Sequence, residues 1–376
     1  MKFRFLLPAL LALAGPTQAQ SVAPAGQPAA AALSLPEQSF EQFWQGFRDQ
    51  YAFFPLKQVD WDAMYRTYRP RVSAQTPPDS LVQLLRRMVE PLHDGHITIS
   101  RGETILFKGE SRRNAFKQTF KAVQLEFWRV ATQQLQAAGF GPLKGLGPDF
   151  KGKQPIYFSR SGTVGYLHLT RCFADVTGAL GTDAQERKDQ QRLEKLFSQA
   201  LQQLQGCQTL ILDVRDNGGG HSGTALAGHF ATARTLAGYK AVRQPGGYAQ
   251  FTEPQPVYVT PAAGPRFTGP VLLLTSDQTA SAAEDLTMAL RSMSQVTQIG
   301  TATKGMLSDM HSLRLANGLE VTLSNQRYTS PTGQPLEDTG VVPTVSVENT
   351  LSDLQRQHDP VLEKALELAR SEAITK

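Results

Sequence analysis

The chain has 376 residues, enough for a sizeable core and more than one domain, and its 40% apolar content is ordinary for a globular protein. The formal net charge is +5 at pH 7. Lys2 and Arg4 carry two of those charges, so a chain without its first 19 residues holds +3, too mild a bias for a nucleic-acid-binding protein.

The opening residues read as a signal peptide over 1–19. Lys2 and Arg4 form a charged start, Phe5 to Ala14 an apolar stretch, and Thr17-Gln18-Ala19 a cleavage site. The apolar stretch is too short to span a bilayer, and no later run is long enough. No cysteine follows the site, so the expected product is a freed protein, periplasmic or secreted. Residues 20–35 are rich in Ala and Pro and read as a flexible lead-in.

Over 36–95 the pattern predicts a small helical domain. Phe40, Phe43, Phe47 and Tyr51 share one helical face, as do Leu81, Leu84, Leu85, Met88 and Leu92. The segment 96–160 reads as an insert of unassigned role, with a helix near 114–138 followed by a Gly/Lys-rich loop. Its basic residues, between Arg101 and Arg160, read as a solvated face.

From about Pro155 strands and helices alternate. Strands are expected at 163–171, 209–215 and 270–275. Helices are expected around Leu193, Leu196, Phe197, Leu201 and Leu204, near 222–235, and at 281–293. That order predicts an α/β core of mainly parallel strands over 161–376. Residues 311–330 read as a hairpin turning at Asn317-Gly318, and DPVLEKALELAR as an amphipathic helix. Cys172 ends one expected strand and Cys207 begins the next parallel one. The two then lie at opposite ends of the sheet, beyond the Cα separation of about 7 Å that a disulfide bridges, and both thiols are expected free.

Two stretches carry candidate chemistry. In TSDQTASAAEDL, Ser281 and Glu284 stand in the relation of a capping box. A serine there also exposes its hydroxyl beside free helix N-terminal amides. In LILDVRDNGGG, a buried strand ends in glycines that let backbone approach a ligand closely. The amide of Ala282 with one from Gly218 or Gly219, Gly219 preferred, would form an oxyanion hole. No G-K-[ST] follows, which argues against a phosphate loop.

A nucleophilic serine needs a base. The candidates are His96 in LHDGHITIS, Lys304 in GTATKGML, and less strongly His221. A lysine in this role must be desolvated to lower its pKa. Glu337 in GQPLEDTGVVP is placed to orient a histidine. No His/Cys cluster has metal-ligand spacing, so neither metal nor cofactor is expected.

In order and spacing, LHDGHITIS, LILDVRDNGGG, TASAAE and YTSPTGQPLEDTGVVPTV together resemble the S41 serine peptidases, the C-terminal processing and tricorn-core proteases, over about 36–370. The resemblance implies a ClpP/crotonase-like α/β core, a peptide or protein substrate and Ser281 as nucleophile. Processing proteases take their base from a lysine, whose position here holds Met306, with Lys304 two residues early. Tricorn-like members use histidine and glutamate, matching His96 and Glu337, with Gly95 where they carry a serine. The expected machinery is therefore Ser281/His96/Glu337, with Lys304 the alternative base. Residues 97–160 lack the glycine pattern of the PDZ domain that processing proteases carry. Two other outcomes remain open: a non-catalytic module binding apolar ligands, and a hydrolase of other esters or amides.

Overall fold

The computed structural model describes residues 32–176, 182–221 and 223–374. The expected signal peptide and most of the expected lead-in lie outside these residues.

The helical start is set by local signals. Ser34 caps α1 (Leu35–Gln50), with its amide donating to the Glu37 carboxylate at 3.1 Å and Pro36 in the first turn. Asp60 caps α3 (Trp61–Tyr68), which follows the single turn α2 (Phe54–Lys57) and precedes α4 (Pro78–Val89). Phe40, Phe43 and Phe47 of α1 are buried against Trp61, whose ring lies 5.2 Å from Phe47 and 5.0 Å from Phe54. Burying such rings accounts for most of this unit's stability, because each removes 150–250 Å² from water.

Residues 96–160 are not a free-standing insert. β1 (Thr98–Arg101) and β2 (Thr104–Lys108) enter a four-stranded antiparallel sheet. The expected single helix is two, α5 (Ala115–Phe120) and α6 (Gln124–Ala137), separated by a tight turn at Lys121–Val123. β3 (Lys144–Leu146) then pairs antiparallel with β4 (Ile156–Ser161), and β4 antiparallel with β5 (Val164–Leu169).

β5, β6 (Thr209–Asp213) and β9 (Val271–Thr275) are parallel, joined through α7 (Asp183–Gln203) between β5 and β6. The helix expected near 222–235 is only α8 (Thr224–Ala227), and the chain re-enters as β7 (Thr235–Val242). The reason is tertiary. The carbonyls of Gly228 and His229 accept the amides of Ala262 and Phe267, so the backbone there serves a neighbouring loop rather than a helix. β8 (Gln255–Val259) pairs with β7.

After β9, α9 (Ala282–Arg291) leads to β10 (Val296–Gly300), parallel to β9. β11 (Met310–Arg314) and β12 (Glu320–Ser324) form the expected hairpin, with Asn317-Gly318 in the turn. β13 (Gln326–Thr329) joins β7, and β14 (Val345–Ser346) closes the edge beside β10. α10 (Leu351–Gln355) and α11 (Pro360–Ile374) end the chain.

Three sheets result. The central one has the order β14-β10-β9-β6-β5-β4-β3, the second β11-β12-β1-β2 and the third β13-β7-β8. The helical start shares one apolar core with the second sheet: Phe40, Phe47 and Trp61 cluster with Ile99, Leu319, Val321 and Leu323. Residues 36–95 thus bury their apolar face against a hairpin more than 200 positions later. Cys172 and Cys207 are both free, as expected.

Candidate active site

Ser281 stands where β9 ends and α9 begins. It is the helix N-cap, with φ 53° and ψ −126°, a left-handed conformation that costs a non-glycine residue of order 1–3 kcal/mol. Several contacts enforce it. The Ser281 amide faces two acceptors at 3.1 Å, the Met306 carbonyl and the Glu284 carboxylate. Gly219, at φ 100°, packs so close that a Cβ there would sit 2.7 Å from the Ser281 Cβ. The glutamate half of the capping box is in place. The serine side chain stands over the Glu284 amide in the capping-box arrangement but makes no side-chain cap hydrogen bond, and that amide lies 2.6 Å from the Ser281 carbonyl oxygen.

Glu284 does more than cap. Fully buried, its carboxylate also accepts the Thr303 hydroxyl at 2.6 Å and the amides of Gly305 and Met306 at 2.7 and 2.8 Å. It fastens the 303–306 loop to the Ser281 turn. Burial pushes its pKa up, and those four donors oppose the shift.

The glycine loop after β6 is held from behind. Asn217 Nδ2 donates to the Leu169 carbonyl at 3.0 Å, and Asn217 Oδ1 accepts the Gly219 amide at 2.9 Å. The Gly219 carbonyl accepts the Cys172 amide at 2.9 Å. The two candidate glycine amides differ in their surroundings. The Gly219 amide is already engaged, whereas Gly218 is exposed and lines the cleft beside Ala280. The Ala282 amide is at the first position of α9, where helix amides lack an internal acceptor.

His96 stands just before the second sheet, and its neighbour Gly95 lines the same cleft. The histidine precedes β1, is 5% exposed, and its amide donates to Asp94 Oδ1 at 2.8 Å. Gly95 lies against Met306: a Cβ at 95 would meet the Met306 sulfur at 2.7 Å. The two departures from the family pattern, Gly95 and Met306, are thus one steric arrangement. Because Met306 also accepts the Ser281 amide, the histidine loop and the nucleophile turn share a wall. Burial lowers the His96 pKa below the ordinary imidazole value, Lys108 adds to that, and Asp94 and Asp309 oppose it.

The structure does not join the expected trio by hydrogen bonds. The partner at His96 Nδ1 is the Ser324 hydroxyl, at 3.4 Å. Glu337, 4% exposed, accepts the Leu307 amide at 3.3 Å. Burial and then the Asp94 carboxylate push the Glu337 pKa well above the usual carboxyl range, with Lys57 opposing. The Tyr51 hydroxyl faces the same two carboxylates, and burial and their charge raise its pKa strongly. Tyr51 and Asp94 were not singled out as site residues from sequence; the Asp-x-His spacing was the available signal for Asp94. Lys304, the alternative base, donates to the Arg113 carbonyl at 3.0 Å, and burial lowers its pKa. His221 lies behind the glycine loop, between Asp189 at 3.1 Å and Glu186 at 3.2 Å, and serves the fold there. Among the described residues, no helix is long and apolar enough to cross a membrane.

Comparison with known proteins agrees with this geometry. The model of peptidase family S41 matches residues 163–347, and that of the tricorn protease C1 domain matches residues 36–90. A protein described as tricorn protease homolog 2, from Streptomyces coelicolor, is 31% identical over 162 residues, 43% of this chain and 13% of that protein. The chloroplastic carboxyl-terminal-processing peptidase 1 of Arabidopsis thaliana is 29% identical over 142 residues, 37% of this chain and 27% of that one. The matches thus span well under two thirds of either relative. The crystal structure of a protein described as a peptidase, from Parabacteroides merdae, superposes with a TM-score of 0.68 at 26% identity, covering 89% of this chain and 97% of that one. Residues 163–347 are thus a peptidase family S41 domain, preceded at residues 36–90 by a match to the tricorn protease C1 domain.

Proposed function

We propose that the chain is an exported serine peptidase in which Ser281 attacks a peptide carbonyl, His96 is the general base and Glu337 orients the imidazole. The observation that carries this reading is the Ser281 turn: a strained serine at a helix N-terminus, without a side-chain cap hydrogen bond, packed against Gly219 and next in the chain to Ala280, which lines a cleft with Gly218 and Gly95. Ser281 Oγ bonds to the carbonyl carbon while its proton passes to His96. His96 then gives that proton to the amide nitrogen as the C–N bond breaks. Water hydrolyses the acyl-serine ester by the same exchange in reverse. The oxyanion is held by the amide of Ala282 and by one from the glycine loop. Gly219 was the expected donor, and the open position of Gly218 favours that residue.

This reading requires that the hydrogen bonds of the triad form when substrate binds, since catalytic hydrogen bonds are often long or poorly aligned without it. A second reading uses Lys304 as base, supported by the burial that depresses its pKa. Export rests on the signal-like pattern of residues 1–19, and the catalytic α/β core on 161–376.

The test exposes a mixed peptide library to the protein and to Ser281→Ala, read by mass spectrometry. Cleavage by the first alone supports a serine peptidase. Cleavage lost in His96→Ala and kept in Lys304→Ala supports the histidine base, and the reverse pattern supports lysine. Ester turnover without peptide cleavage would redirect the assignment to another ester or amide hydrolase, and bound lipid-like material without any turnover to a binding module.

A further inference from the structure

The basic residues after Arg101 read in sequence as a solvated face, and two of them, both exposed, border a cleft. Lys108, at the end of β2, and Lys117, on α5, line the same cleft of about 310 Å³ as Gly218, Ala280 and Met306, and Lys304 lines it too. The three lysines come from three separate segments. Lys108 is close enough to lower the His96 pKa, and Lys117 close enough to lower that of Lys304. Their ammonium groups are thus felt at the histidine and across the cleft.

None of the three makes an ion pair among the described residues; the hydrogen bond of Lys304 is to a carbonyl. One carboxylate, Glu110, lines the cleft with them, leaving an excess of positive charge beside the nucleophile. Asp277, which also acts on Lys304, is occupied by the amides of Ala115 and Phe116 at 2.6 and 2.9 Å. Unpaired ammonium groups lining a cleft attract a carboxylate-bearing ligand and repel a cationic one.

From this we infer that the cleft selects peptides carrying a carboxylate near the scissile bond, either an Asp or Glu side chain or the free C-terminus, with Lys108 and Lys117 as specificity-determining residues. The inference rests on Ser281 being the nucleophile that this cleft serves. Lys304 contributes charge, but Lys108 and Lys117 give the cleaner test because neither is a candidate base.

The experiment has two arms. In the first, the protein and the double variant Lys108→Ala/Lys117→Ala cleave matched peptides: one neutral with an amidated end, one with an internal Glu, one with a free C-terminal carboxylate. The expected result is an acid preference in kcat/KM that falls about tenfold in the double variant, since each solvent-facing pair is worth up to about 1 kcal/mol. Turnover of the neutral peptide should remain, and 0.5 M salt should erase the preference. The acidic peptide that is preferred identifies the source of the carboxylate.

In the second arm, binding of the same three peptides to Ser281→Ala is measured by fluorescence anisotropy, which needs no turnover. Acid-selective binding that vanishes in Ser281→Ala/Lys117→Glu supports the inference even if no peptide is cleaved, in which case only the peptidase reading fails. Equal affinity for all three peptides, no binding of any, or a preference unchanged by the lysine variants overturns it.

Discussion

The two sides of the cleft are built differently. Ser281 and the glycine loop stand at the ends of neighbouring parallel strands, β9 and β6, in register through Leu274 and Asp213. They are locked by short bonds to one another, such as the Ala280 amide to the Asn217 carbonyl at 3.0 Å. His96 comes from another sheet, whose apolar core is shared with the helical start. Glu337 comes from a third segment, the loop after β13. The nucleophile side is therefore fixed by sheet geometry and one buried glutamate. The base side is fixed by how a second core docks onto the first.

The largest effect expected is on the nucleophile. Ser281→Ala should lower kcat by about 10⁴-fold or more without loss of thermal stability, since triad nucleophiles act as part of a unit. Steady-state kinetics on any peptide found in the library screen measures it, and the strain at φ 53° is the same for alanine. Glu284→Ala should strike the same side through the fold. It leaves four donors facing a buried void and should cost about 3–5 kcal/mol by chemical denaturation. Retained stability would mean that the 303–306 loop is held some other way.

On the base side, Trp61→Ala should cost about 3–5 kcal/mol, as large aromatic truncations in cores do, although Trp61 touches no candidate catalytic residue. A cost under about 1 kcal/mol would mean that the second core is not what holds His96. Glu337→Gln should lower kcat by about 10²–10⁴-fold. It should also stabilise the protein at alkaline pH. The folded Glu337 pKa lies above its unfolded value, so its contribution is present below the unfolded pKa and is lost as pH rises through the folded one.

The smallest effect expected is on the pH profile. His96 must be neutral to act as base and its pKa is depressed, so the acid limb of kcat/KM should fall below about 6.5. Lys108→Ala removes a cation that lowers that pKa and should move the limb upward by less than about one pH unit. An unmoved or lowered limb would place Lys108 away from the imidazole.

The same contrast explains what could be read in the chain. Ser281, Glu284 and the glycines lie within continuous stretches whose strand–turn–helix pattern is local, so their placement was legible. The hairpin at Asn317-Gly318 was legible for the same reason. The broken helix after Ala227 was not, because it depends on amides of Ala262 and Phe267, far along the chain, donating to the carbonyls of Gly228 and His229. Nor was the union of the helical start with β11 and β12, which joins Phe47 to Leu323 across most of the chain. Gly95 and Met306 looked like two unrelated departures, and only their contact in space makes them one feature. The amide of Gly219 was a fair expectation from the glycine run. That this amide donates to the Asn217 side chain, two residues away, is a geometry no pattern specifies.

The central claim is that Ser281 is an activated nucleophile with His96 as its base. The most direct measurement is phosphonylation by a fluorophosphonate, located by peptide mapping and compared between the protein, His96→Ala and Lys304→Ala. The expected result is a single adduct on Ser281, lost in His96→Ala and kept in Lys304→Ala. No adduct at Ser281, or an adduct that survives loss of His96 and disappears with Lys304, would contradict it.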